Sequence, residues 1–341
     1  MPDNSVHRFN NTAVLAIERV EPSLVVTSAE FDARLTDVYD RTHMRPGLLE
    51  LIVGIRERRW WGEGESFIEG AASAGRAAIA ASGVATQDIG LMVNSSLSRE
   101  WLEPATAVVM HNAIGLPRSC QNFDLTNACL GFVSGMEMAA AMIDSGLIEY
   151  ALVIASEDCR PVQEATIGRL QTGDIKSADV MAEFAALTLG AGSVAMVLGR
   201  ADRHPEGHPI VVAVSRAGTE HHGLCVGDNE TMITDLKGLL DAGLELVGAL
   251  WDESAEELKW DQGLDRYVLH QVSKVHTEAL CAQLDIDLSL VPVTFPEFGN
   301  IGPASVPFTL AEGTDGLERG DRVLLMGIGS GLNACCLEIT W

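Results

Sequence analysis

An α/β fold built from two similar halves is what this sequence predicts, and three observations predict it. Strand and helix signals alternate along the chain, and their order occurs twice. A length of 341 residues with 47% hydrophobic content and only 12 prolines is enough to bury a substantial core. The halves are expected to span residues 1–200 and 201–341.

The elements follow in order. Thr12–Val20 reads as a strand, and residues 66–82 as an Ala-rich helix closed by Gly83. Residues 89–94 are a strand. The apolar strand around Phe123 ends in a turn of small and polar residues, Thr126-Asn127-Ala128-Cys129, before an Ala/Met-rich helix. Strands are then expected at 150–155 and, punctuated by glycine, at 186–198. In the second half, 265–269 answers 88–93, each a short strand opened by Asp. Residues 291–295 lead into Gly299-Asn300-Ile301-Gly302 and an apolar helix, as 122–125 leads into Cys129. Leu189-Gly190-Ala191-Gly192-Ser193 is answered by Ile328-Gly329-Ser330-Gly331. Such a repeat puts Cys129 and Asn300 in related positions, with the active site between the halves. About 160–185 has no counterpart in the second half; it reads as an inserted helical cap, a natural wall for a substrate pocket.

Composition excludes several classes. A formal charge of −25 opposes binding to nucleic acid or an anionic membrane. No apolar run approaches the roughly 20 residues that span a bilayer, and Met1-Pro2-Asp3-Asn4-Ser5 lacks the features of a signal peptide, so the expected location is the cytoplasm. Seven cysteines, an odd number without C-x-x-C spacing, argue against a disulfide framework or a zinc ribbon. Gly190-Ala191-Gly192 is too short for a nucleotide loop, and no phosphate-binding G-x-x-x-x-G-K-[ST] occurs.

Three residues carry chemistry. Cys129 sits where a helix begins, and the unpaired N–H groups and dipole of a helix N-terminus favour thiolate, the form that attacks a carbonyl. Taken alone, a cysteine in that setting is more often a small core residue. His270 follows the strand Tyr267-Val268-Leu269 and falls at the sheet edge where ligands gather in α/β folds; alone, it more often reads as a structural histidine. Asn300 lies between glycines that allow close backbone approach. Each can donate a hydrogen bond, so the pair suits a thioester oxygen as it becomes an enolate. His221, His222 and His276 read as surface or structural.

Asn127-Ala128-Cys129, His270 and Gly299-Asn300-Ile301-Gly302-Pro303-Ala304-Ser305 together resemble the Cys-His-Asn set of the thiolase superfamily, in its ketoacyl synthase III branch, in order and spacing over nearly the whole chain. Gly54-Ile55-Arg56-Glu57-Arg58-Arg59 resembles that branch's Gly-Ile-x-x-Arg-Arg segment, and Gly327-Ile328-Gly329-Ser330-Gly331 stands at its glycine-rich oxyanion turn. Within the branch, Ser98-Arg99-Glu100-Trp101-Leu102-Glu103-Pro104, Ser305-Val306-Pro307 and the ending Gly329-Ser330-Gly331-Leu332-Asn333 resemble the OleA-type enzymes, which join two long-chain acyl-CoA molecules head to head.

The resemblance implies a layered α-β-α-β-α fold and a dimer, either of identical chains or with a dedicated partner. It implies that Glu103 supplies a base across the dimer interface. Ketoacyl synthase III makes its carbanion by losing CO2, whereas two plain acyl chains need a group to remove an α-proton, and a carboxylate in an apolar pocket is a stronger base than one in water. On residue chemistry alone, Glu103 beside Pro104 equally reads as an acid favoured at a helix start. The implied cycle acylates Cys129, with the oxyanion held by the Gly329, Ser330 and Gly331 turn. Glu103 then deprotonates a second acyl-CoA while His270 and Asn300 hold the enolate, and attack on the acyl-Cys129 gives a 2-alkyl-3-ketoacyl product. Hydrolysis yields the β-keto acid, for olefin or β-lactone synthesis by downstream enzymes. No metal or organic cofactor is required, CoA being part of the substrate. Arg56 and Trp60 are candidates to flank the CoA entrance, the alternative for Trp60-Trp61 being an interfacial aromatic pair; Phe132 and Met136, with Met181, are candidates to line the acyl tunnel. Two rivals remain: a decarboxylating ketoacyl synthase III fed by malonyl carrier protein, and a non-catalytic subunit that completes a partner's site.

Overall fold

A computed structural model describes residues 3–341. In chain order its main elements are β1 (Thr12–Val20), α1 (Phe67–Ser82), β2 (Leu91–Asn94), α2 (Thr106–Ile114), β3 (Gln121–Asp124), α3 (Gly131–Asp144), β4 (Tyr150–Glu157), α4 (Arg160–Thr172), α5 (Ser177–Glu183) and β5 (Gly192–Arg200). There follow β6 (His208–Ala217), α6 (Leu236–Leu258), β7 (Arg266–Leu269), α7 (Lys274–Leu284), α8 (Ser305–Glu312), β8 (Arg322–Gly329) and β9 (Asn333–Thr340).

Strand pairing repeats. The first five strands run in the order β3-β2-β4-β5-β1, with β2 parallel to β3 and β4 and the remaining pairs antiparallel. The next four run β7-β8-β9-β6, with one parallel pair where the first set has two, followed again by antiparallel pairs. The two sets join where β1 meets β6, at Ala13 with Pro209 and Val14 with His208. In the second set the place matching β3 holds no strand: Val291, Pro292, Val293 and Thr294 are unpaired, because Pro292 has no N–H for a ladder. The expected strand at 291–295 is therefore an extended segment running into a short turn of helix at Phe295–Phe298.

Helices α3 and α8 lie between the two sets of strands, touching strands of both. Their apolar side chains form one core with Val93, Val153, Met196, Val268 and Leu325. Alternate residues of the same strands face outward. Met92, Leu152 and Val197 pack under α1 and α2, while Val214, Leu324 and Met326 pack under α6 and α7. The result is five layers, helix, sheet, helix, sheet, helix, the thiolase-like arrangement. Small residues make the middle layer thin enough: a Cβ on Gly135 of α3 would stand 3.0 Å from Val153 Cγ1.

Local signals account for the helix at 66–82. Ser66 caps α1 by accepting from the Glu69 N–H, and Gly83 closes it in the left-handed conformation at φ 70°. The glycine-punctuated strand at 186–198 is shorter than expected. Phe184–Thr188 is a 3-10 turn, and β5 starts only at Gly192. The residues between them are used elsewhere: the Gly190 N–H donates to the Asn300 carbonyl at 2.8 Å, across the two halves. Residues 160–185 form α4, α5 and the start of that 3-10 turn. Among the described residues no helix is long and apolar enough to cross a membrane.

Candidate active site

One cavity of about 660 Å³ opens between the cap, α6, α7 and the end of β8 at Gly327–Ser330, and Cys129, His270 and Asn300 all line it. Its remaining surface is mostly aliphatic, with Met181 and Phe184 from the cap and Leu240, Leu244 and Val247 from α6. Such a wall accepts a hydrocarbon chain.

Cys129 precedes the first residue of α3 by two positions, in a turn where Ala128 takes a left-handed φ of 46°. For a residue with a side chain that conformation costs about 1–2 kcal/mol. The turn is held from below: Asn127 Oδ1 accepts from Asn333 Nδ2 at 3.0 Å, and its Nδ2 donates to Ser134 Oγ at 3.2 Å. Gly329 presses against it so closely that a Cβ would stand 2.6 Å from the Asn127 carbonyl oxygen. The expected thiolate is not the resting form. Burial pushes the Cys129 thiol up to about 12, and Cys225 and Glu157 add negative potential in the same direction. Desolvation by the apolar cavity outweighs the helix terminus. The sulfur therefore needs a proton acceptor.

His270 lines the same cavity. Its backbone N–H is anchored to the Met326 carbonyl at 2.9 Å, at the end of β7. Burial, with His276 nearby, pushes its imidazole down to about 4, so it is neutral at neutral pH and keeps one donor and one acceptor nitrogen. Nδ1 is buried without a partner among the described residues.

Asn300 is held the other way round. Its Oδ1 accepts from the Gly302 N–H at 2.9 Å and from the Ser305 hydroxyl at 3.4 Å, which assigns the amide and leaves the Nδ2 hydrogens free to donate. Its backbone is locked as well, the N–H to the Thr188 carbonyl at 2.9 Å and the carbonyl to Gly190.

Glu103 lies in the exposed loop between β2 and α2 and does not line the cavity of its own chain. The first N–H groups of α2 are met by a different acid. Helix α2 begins at Thr106, and the Asp124 carboxylate accepts the Thr106 and Ala107 N–H groups at 2.9 and 2.8 Å. Gly329 and Ser330 line the cavity; Gly331 stands one residue beyond, in the β8–β9 turn.

None of the four substrate-contact candidates lines the cavity. Phe132 and Met136 are fully buried in the middle layer, because α3 spends its apolar face between two sheets. Trp60 is buried and donates to Gln163 Oε1 of α4 at 2.6 Å, and Arg56 pairs with Glu297 at 3.1 Å. The wall comes from α6, where Leu236, Leu239, Leu240, Gly243, Leu244 and Val247 recur at helical spacing, a signal present in the sequence. His276, read as surface or structural, lines the cavity and shares a 2.7 Å hydrogen bond with Ser273; Cys225 and Thr277 line it too.

Comparison with known proteins bears on what this geometry does. A model of 3-oxoacyl-(acyl-carrier-protein) synthase III matches residues 123–217, and one for the C-terminal part of that family matches 255–341. The chain is 38% identical over 336 residues, 98% of its length and 99% of the relative's, to the acyl-CoA:acyl-CoA alkyltransferase of Xanthomonas campestris pv. campestris. It superposes with a TM-score of 0.94 and 37% identity on a crystal structure of Xanthomonas campestris OleA with bound lauric acid and lauroyl-CoA, covering 98% of this chain and 100% of that one. A 3-oxoacyl-(acyl carrier protein) synthase III from Xanthomonas oryzae pv. oryzae matches with a TM-score of 0.94 and 38% identity, over 98% and 100% of the two chains.

Proposed function

This chain belongs to the 3-oxoacyl-(acyl-carrier-protein) synthase III family of the thiolase superfamily, and from that premise we propose that it is an acyltransferase joining two long-chain acyl-CoA molecules by a Claisen condensation without decarboxylation. The observation that carries the reading is the meeting of Cys129, His270 and Asn300 on one wall of an aliphatic cavity, in a chain alike from end to end to an acyl-CoA:acyl-CoA alkyltransferase.

The chemistry runs from the residues. Neutral His270 takes the Cys129 proton as the sulfur attacks the first thioester, and CoA leaves. Backbone N–H groups of Cys129 and of the Gly329, Ser330 and Gly331 turn hold the tetrahedral oxyanion. A second acyl-CoA then loses its α-proton to Glu103, and its enolate oxygen is met by Asn300 Nδ2 and His270. The carbanion attacks the acyl-Cys129 carbonyl, giving a 2-alkyl-3-ketoacyl-CoA and the free thiol. Proton bookkeeping closes without a metal or organic cofactor.

Glu103 serves a second copy of the chain. Support for this comes from its exposure, its absence from its own cavity, and the exposed apolar residues around it, Trp101, Leu102 and Val108, which a partner subunit would cover. The product is consumed in olefin or β-lactone synthesis.

Incubation with myristoyl-CoA alone tests the reading. Release of CoA with appearance of a branched β-keto acid, or the ketone it decarboxylates to, is the expected result by mass spectrometry. A strict need for a malonyl thioester instead assigns the chain to the decarboxylating branch, whose X. oryzae member it also matches.

A further inference from the structure

Two carboxylates that take no part in the cycle above end neighbouring strands on either side of β2. Asp124 ends β3, and Glu157 ends β4. Both are spent on the loop that carries Glu103. At its far end Asp124 accepts the Thr106 and Ala107 N–H groups, as described, and Asn94 Nδ2 at 2.9 Å. At its near end Glu157 Oε1 accepts the Leu97 N–H at 2.7 Å, and Oε2 accepts both the Ser98 N–H at 3.0 Å and the Ser98 hydroxyl at 2.6 Å. The Ser98 oxygen in turn accepts the Asp158 N–H at 2.8 Å. Between these clamps Arg99, Glu100, Trp101, Leu102, Glu103 and Pro104 are free of strand or helix.

Glu157 is placed where an acid is unfavourable. It is 6% exposed, and burial pushes its carboxyl up to about 7 against the pull of its three donors. Its charge also opposes formation of the Cys129 thiolate. On its other side, its Cγ stands 3.7 Å from where a Cβ on Gly302 would be, against the Asn300 turn. Acyl transfer has no use for an anion in that position, and both oxygens are already occupied by the loop. The three hydrogen bonds are what the carboxylate does there.

We propose that Glu157, together with Asp124, is a positioning residue for Glu103: the pair pins both ends of the loop to strand ends beside the nucleophile, so that the base reaches the partner's cavity in register. The inference rests on the assignment of Glu103 as the base. A loop freed at one end misplaces the base without touching the thiol, and displacement of about 1 Å costs about 100-fold in rate.

The test separates the two half-reactions in the full-length protein. Glu157→Gln removes one acceptor from the clamp, and Ser98→Ala removes the hydroxyl from the loop side and serves if the first variant fails to fold. Acyl-enzyme formation with myristoyl-CoA is followed by intact mass, and condensation by product yield. The expected result is a fall of about 10- to 100-fold in condensation with acylation lowered by less than about 3-fold. The double variant Glu103→Ala/Glu157→Gln is expected to condense no worse than Glu103→Ala. Equal loss in both half-reactions, unchanged condensation, or additive losses in the double variant would each overturn the inference while leaving Glu103 as base. Normal condensation by Glu103→Ala removes the base assignment itself, and the inference with it.

Discussion

The two turns that meet in the cavity occupy matching places in their halves, yet they are built in opposite ways. The Cys129 turn follows a paired strand, bends through a strained Ala128, and is braced through Asn127, Gly329 and the Leu130 and Gly131 N–H groups, which fold back on the Asn127 and Ala128 carbonyls. Its sulfur faces the cavity. The Asn300 turn follows an unpaired segment and is locked at every polar atom but one: N–H, carbonyl and Oδ1 are all bonded, and only the Nδ2 donors are free. The difference matches the two tasks proposed for them. A nucleophile changes its covalent partner twice per cycle and needs room, whereas a donor to an oxyanion acts only if it is fixed before charge develops.

The largest effect that tests this contrast comes from the loose turn. Cys129→Ser is expected to lower acyl-enzyme formation by more than about 10,000-fold, measured by intact mass after addition of acyl-CoA. An undiminished adduct would move the nucleophile elsewhere. Next comes the rigid turn. Asn300→Ala is expected to lower the condensation rate about 100- to 1,000-fold with little change in the concentration of acyl-CoA needed for half-saturation, because the donor is wanted mainly when the enolate forms. A rise in that concentration at constant turnover would make Asn300 a binding residue instead.

The smallest effect belongs to His270, and it is read in stability. Its folded-state value of about 4 lies below the value of about 6.5 for an unfolded histidine, so between those limits the unfolded chain binds the extra proton. Its contribution is thus complete above pH 6.5 and lost as the pH falls to 4, on the order of 3 kcal/mol in all. Urea unfolding at several pH values is expected to show His270→Asn losing less stability than the parent over that window. Parallel curves would show that the ring is solvated in the folded state.

Much of this was legible in the sequence where the signal is local. The Thr12–Val20 strand and the helix from Ser66 to Gly83 announce themselves by apolar pattern and caps, and the order of motifs around Cys129, His270 and Asn300 revealed the family. What was not legible depends on distant partners. The strand expected at 186–198 gives up its first residues because the Asn300 turn, more than a hundred residues away, claims them. Phe132 and Met136 look like tunnel residues until the second sheet closes over α3. A thiol at a helix start looks acidic until the cap and α6 remove water from it. For Glu103, residue chemistry leaves a helix-start acid as the alternative to a base, and only the fold reveals that Asp124, eighteen residues onward from Thr106, already accepts the first N–H groups of α2.

Gly190 carries a consequence for anyone reshaping this enzyme. A Cβ there would fall 1.7 Å from the Phe298 carbonyl oxygen, so the segment Thr188-Leu189-Gly190 lies flush against the Asn300 turn. That segment is also where the cap returns to the sheet. Trimming the cap to admit bulkier chains would therefore cut away the mooring of Asn300 along with the obstruction, and a pocket enlarged by that route is expected to gain volume at the expense of turnover.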